Sequence, residues 1–157
     1  MNALGAILLR TTIECFHLPG GHEQESHAGD ATTEVPAKKF VATHPYLYHI
    51  TTRKHFNGIR KDGLRGSKTG YHGAGISLAT NPEATQVYGS LDDDDAVLFR
   101  VATAEAVKRF GFGPKQLEFD PDNDEVTIPG SQRVIPPQAL EWKTKSSGWR
   151  KFNRPGM

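Results

Sequence analysis

Apolar and polar positions alternate along this chain in short runs, and the runs predict strands. In EVTI, residues 125–128, Val126 and Ile128 alternate with Glu125 and Thr127, and Pro129-Gly130 ends the run. Phe40-Val41, YLYHI at 46–50, Ile76-Ser77-Leu78-Ala79, AVLFRV at 96–101 and Ala139–Lys143 read as further strands. Helical signals lie between them. Thr51 or Thr52 caps a helix over 53–61, with Phe56 and Ile59 as its apolar pair, and Asp62-Gly63 closes it. Asn81-Pro82-Glu83 opens a second helix, which runs to Val87-Tyr88 and stops at Gly89. A third, short one is predicted over 103–109. The stretches RGSKTGYHGAG at 65–75 and RFGFGPKQLEF at 109–119 read as glycine-rich loops, and DDDD at 92–95 as a turn. The sum is an α+β domain of short strands with two or three small helices and no repeats.

Composition adds boundaries. Residues 19–38 are rich in Gly, Pro, Ser, Thr and acids and read as a linker, so 1–38 is expected to be a flexible or docking segment. A folded domain is expected over 39–143, and a basic, aromatic tail over 144–157. With 157 residues, 36% hydrophobic and 24% charged, the chain can bury one core. No apolar run approaches the ~18 residues of a membrane span. ALGAILL near the start is too short, and lacks the flanks of a signal peptide; it reads as a buried or docking segment. Cys15 is the only cysteine, which excludes an internal disulfide and a cysteine-based zinc site. The seven histidines show no zincin spacing, so no metal is expected. No Walker loop or G-x-G-x-x-G is present.

Charge is blocked rather than mixed. Residues 38–72 carry eight basic groups and one acidic, residues 81–125 four basic and eleven acidic, and residues 126–157 six basic and one acidic. Basic blocks flanking an acidic one suggest an anionic ligand or partner meeting one surface. The entry to EVTI concentrates Asp120, Asp122, Asp124 and Glu125, which is either a solvated loop end or the edge of a site.

Three pieces stand in one order: a strand ending in histidine, LYHIT; a strand entering a helix through S-L-A-T-N-P-E-A, with Tyr88 eleven places after Ser77; and a strand beginning with glutamate, DEVTIP. Singly, each has a structural reading: His49 as a core or edge residue, Ser77 and Tyr88 as packing, Glu125 as a solvated acid. Together they resemble the ADP-ribosyltransferase superfamily over about residues 46–142. The resemblance implies a split β-sheet core with NAD as co-substrate and no metal. It implies that His49 meets the adenosine ribose side, with Ile50 and Thr51 beside it, that Ser77 lies by the nicotinamide, and that Tyr88 stacks on the ring. It makes Glu125 the catalytic acid. Ser77 stands where His-type members usually show tyrosine, so one ring wall is missing or is supplied by Tyr71. A carboxylate at ~4 Å from a ribose turning cationic, at an effective dielectric of ~20, is worth ~4 kcal/mol, or ~10³ in rate. The basic residues Arg53, Lys54, Arg60 and Lys61 are expected to meet the pyrophosphate.

The acceptor side is expected at the loop before Glu125, with Phe110 and Phe112 gripping the acceptor. Asn123 occupies a place where arginine-modifying relatives carry Glu. The tail KTKSSGWRKFNRPGM interleaves five basic groups with Trp149 and Phe152, a mixture that suits single-stranded nucleic acid. A nucleic-acid acceptor, RNA before DNA, is therefore favoured slightly over protein. The resemblance further implies a bacterial or phage toxin or effector, cytoplasmic where it acts or delivered into a target cell, with an antitoxin or immunity protein as partner. Rival readings are an RNA 2′-phosphotransferase or NAD glycohydrolase of the same fold, and an inactive nucleic-acid or protein binding module.

Overall fold

The computed structural model describes residues 36–70 and 73–153. The expected N-terminal segment, apart from its last residues, and Tyr71 lie outside the described residues.

The first described element, α1, covers 36–43, where Phe40-Val41 were expected to form a strand. Phe40 is the one buried residue of this segment; Val41 is not. A single apolar anchor suits one face of a helix, and Phe40 stacks on His44 four residues on, at 4.8 Å between ring centroids.

The strands follow the alternation. They are β1 Tyr46–Thr52, β2 Leu64–Arg65, β3 Ser67–Gly70, β4 Gly73–Ala79, β5 Ala96–Ala102, β6 Glu118–Asp120, β7 Glu125–Pro129, β8 Val134–Ile135, β9 Leu140–Lys143 and β10 Arg150–Lys151. Helices α2 Phe56–Asp62 and α3 Thr103–Phe110 match the predicted positions closely. Gly63 ends α2 at φ 86°. A Cβ on it would meet the Ile135 carbonyl at 2.3 Å, so this glycine also lets β8 approach. Thr52 sits at the cap position of the 3₁₀ turn Arg53–His55 without making a side-chain cap bond. The second predicted helix is a single 3₁₀ turn, Glu83–Val87, after Pro82. The loop expected at 65–75 is largely paired: β2 joins β8, and β3 folds back on β4.

One sheet runs in the order β10-β9-β5-β1-β4-β7-β6, with β3 also on β4, and its pairings are all antiparallel. The fold is mixed α+β with a mostly antiparallel sheet, as expected at that level. β5 is buried on both faces, which explains its almost unbroken apolar sequence. Val97, Phe99 and Val101 join the main core with Leu47, Ile76 and Val126, whereas Ala96 and Leu98 join Ile50 on the opposite face.

The sheet is not uniformly zipped. β1 pairs with β5 along its whole length, from Tyr46↔Ala102 to Thr52↔Ala96. β1 and β4 share one registered pair, Tyr48↔Ala79, and then part. β4 continues with β7 from Ala79↔Glu125 to Gly75↔Pro129.

The segment after Lys143 is folded, not a free tail. β10 pairs with β9 through Arg150↔Trp142. Phe152 packs on Phe56 at 5.5 Å and Phe99 at 6.2 Å. Trp149 covers the Arg100 guanidinium at 4.1 Å from one side, while Tyr46 covers it at 4.0 Å. The expected boundary at 143 therefore moves to at least 152: aromatic burial incorporates the segment that its basic composition made look detached.

Candidate active site at the open seam

Beyond the Tyr48↔Ala79 pair a side chain spans β1 and β4. The His49 ring bridges the gap: its Nδ1 lies 3.0 Å from the Ser77 carbonyl oxygen. Nδ1–H donates there, which leaves Nε2 with its lone pair as an acceptor. Burial pushes the His49 pKa below its ordinary 6.5; the Ser77 carbonyl opposes this, and His55 adds to it. His49 is thus a neutral imidazole of fixed tautomer at pH 7.

A cavity of about 220 Å³ opens at this point. Its walls include consecutive residues of both strands: Tyr48, His49, Ile50 and Thr51 from β1, and Ser77, Leu78 and Ala79 from β4. Neighbours on a strand point to opposite faces, so one cavity reaches all of them only where the sheet itself is parted. A neighbouring cavity of about 470 Å³ under α2 shares His49, Thr51 and Ser77 with it and is also lined by Asp62, Arg65 and Ser67. Another, of about 410 Å³, shares Ala79 and Tyr88 with it and is also lined by Asn123, Asp124 and Glu125.

Glu125 reaches this end through backbone geometry. Asp124 sits at φ 52°, and its carbonyl accepts from the Thr80 amide at 2.8 Å and the Thr80 hydroxyl at 3.2 Å. That left-handed residue turns the chain into β7 with Glu125 opposite Ala79. Glu125 is 7% exposed, and its Oε1 accepts from the Tyr88 hydroxyl at 3.1 Å. Tyr88 is carried by the 3₁₀ turn, which the Asn81 side chain caps at the Ala84 amide, 2.8 Å. Thr85 locks the same turn through its hydroxyl on the Pro82 carbonyl at 2.6 Å.

Of the predicted site residues, His49, Ile50, Thr51, Ser77 and Tyr88 line the seam cavity, and Tyr88 hands on to Glu125. Asn123 lies beside Glu125, but its amide donates to Asp120 at 2.8 Å. Phe110 and Phe112 are not brought to the groove. Both pack against the core, Phe112 on Phe40 at 5.0 Å and Phe110 under Arg133. Phe40 of α1, read as a strand, supplies the ring that Phe112 packs on. Phe119 is likewise stacked on Phe40. Among the basic residues, Arg53 is spent on the acidic turn, its Nε donating to the Asp94 carbonyl at 2.9 Å. Arg60 and Lys61 are exposed on α2, and the cation at the groove end is Arg65, held 3.7 Å from Asp62. Sequence reasoning missed Arg65 and Ser67 because the segment 65–75 read as loop; the placement of Arg65 depends on the pairing of β2 with β8.

Among the described residues no group of three or more His, Cys, Asp or Glu is placed to hold a metal ion, and no helix is long and apolar enough to cross a membrane. No protein-family model matches the chain, and no match is found among curated proteins.

Proposed function

We propose that this chain is an NAD-dependent ADP-ribosyltransferase of the toxin or effector type, with a macromolecular acceptor. The observation that carries the reading is the parting of β1 from β4, with neighbouring cavities lined by Arg65 and Ser67, by His49 and Ser77, and by Tyr88 and Glu125. A sheet opened between β1 and β4 supports the finer fold reading, a split β-sheet of the ADP-ribosyltransferase kind. Volumes of this size are those of small-molecule sites.

In this reading the adenylate end of NAD lies under α2, with Arg65 and Ser67 near the phosphates. His49 Nε2 accepts a ribose hydroxyl proton, its ring held by the Ser77 carbonyl. The nicotinamide lies by Ser77 and the Tyr88 ring, which offers a flat aromatic wall to an electron-poor pyridinium. Bond cleavage at ribose C1′ sends the electron pair to the nicotinamide nitrogen, which leaves as the neutral base. The ribose takes on oxocarbenium character, and the Glu125 carboxylate faces charge that exists only in the transition state. Tyr88 holds one carboxylate oxygen in place. An acceptor N–H or O–H then forms the new bond to C1′, and its proton passes to solvent.

The test is to incubate the full chain with NAD in a cell extract, follow free nicotinamide, and search protein and RNA by mass spectrometry for added ADP-ribose. Nicotinamide release together with an adduct is expected. Release with no adduct points to a glycohydrolase, and no release under any condition sinks the proposal.

A further inference from the structure

The 3₁₀ turn that positions Tyr88 also presents an apolar knob. Val87 is 84% exposed and Tyr88 53%; Val134, at 36%, is the other large apolar residue exposed among the described residues. The knob stands between two cavities. On one side a cavity of about 590 Å³ is lined by Asp93, Asp94 and Asp95. On the other lie Asp124 and Glu125, and Glu83 opens the turn itself. The cations nearby are few. Lys54 lines the first cavity, Lys145 lies 3.6 Å from Asp94, and Arg53 is engaged by the turn's backbone. Part of the acidic block of 81–125, Glu83, Asp93, Asp94, Asp95, Asp124 and Glu125, thus lies about the two cavities that Tyr88 lines.

We infer that the acceptor brought to this site is a cationic polypeptide segment, rich in lysine and arginine, rather than a nucleic acid; the inference rests on the NAD reading above. An apolar knob ringed by carboxylates suits side chains with a long methylene stem and a positive head: the stems cover Val87 while the heads reach the aspartates. A phosphate backbone approaching the same rim would meet like charge on both sides. The two aromatics that would have stacked on bases, Trp149 and Phe152, are committed to the Arg100 stack and the core.

The experiment supplies the full chain with adenylate-labelled NAD and three acceptors at equal mass: a basic peptide library containing every nucleophilic side chain, an acidic library of the same design, and single-stranded RNA. Nicotinamide release without acceptor is measured in parallel. The basic library should be labelled at least about 10-fold faster than either alternative. Val87→Ser and the double variant Asp93→Asn/Asp94→Asn should each raise its KM about 3- to 10-fold, with acceptor-free nicotinamide release unchanged. Nicotinamide release with RNA labelled as well as the basic library, with neither labelled, or with unaltered KM in both variants overturns this inference and leaves the NAD reading standing. Absence of nicotinamide release with every acceptor overturns both.

Discussion

In the proposed reading His49 acts through the lone pair of Nε2. With Nδ1–H on the Ser77 carbonyl and burial holding the ring neutral, Nε2 accepts only while the ring is unprotonated. The folded pKa lies below the ordinary 6.5, so the unfolded chain binds the proton more readily in the window between the two values. Stability from this group is complete above pH 6.5 and is lost as pH falls through the folded value. The KM for NAD should follow the same course, flat from pH 6.5 to 8 and rising in more acidic buffer; a titration of KM and Tm against pH checks both, and His49→Gln should remove the acidic limb. Arg65 makes a separate prediction. It is exposed but sits at the groove end, so Arg65→Ala should raise the KM for NAD about 10-fold with little change in kcat. Steady-state kinetics reads this directly, and a kcat defect alone would contradict the placement. Single residues were partly legible: the resemblance singled out His49, Ser77, Tyr88 and Glu125, and the fold sets them along neighbouring cavities. Arg65 was not legible, since its position depends on β2 meeting a strand 69 positions along from Arg65 at Val134.

At the scale of elements, β4 and β7 form the beam that carries Ser77 and Glu125. Gly75 allows their close approach: it sits at φ 148°, and a Cβ there would come within 2.3 Å of the Ile128 carbonyl. Gly75→Ala should therefore cost about 1–3 kcal/mol, seen as a lowered Tm, and should lower transfer activity as the beam shifts; an unchanged Tm would refute this role. The C-terminal strap makes a comparable prediction. Phe152→Ala opens the packing around Phe56 and Phe99, and for a half-buried ring the cost is about 2 kcal/mol, measurable by denaturant midpoint. β7 was legible because its alternation decides it, and β1 and β5 because their apolar runs are long enough to stand out. The short strands β2, β6, β8 and β10 were not: two or three residues carry no period, and β2 and β8 are partners distant in sequence. Phe40 misled for the same reason, as one buried ring can anchor a helix or a strand equally well.

The whole molecule depends on a sheet that stops pairing. A parted seam leaves no trace in composition, because β1 and β4 each read as ordinary strands. Charge was legible as blocks in sequence, but only folding brings Asp93, Asp94 and Asp95 to a cavity beside Tyr88 and Asp124 and Glu125 to another. The central claim is that the seam groove holds NAD with Glu125 against the developing ribose cation. Its most direct test is the rate of nicotinamide release by wild type and by Glu125→Gln, with NAD affinity and Tm measured on both. The amide keeps the volume and can still accept from the Tyr88 hydroxyl, so fold and affinity should hold while release falls about 10³-fold. Release at the wild-type rate in a folded Glu125→Gln protein would contradict the account.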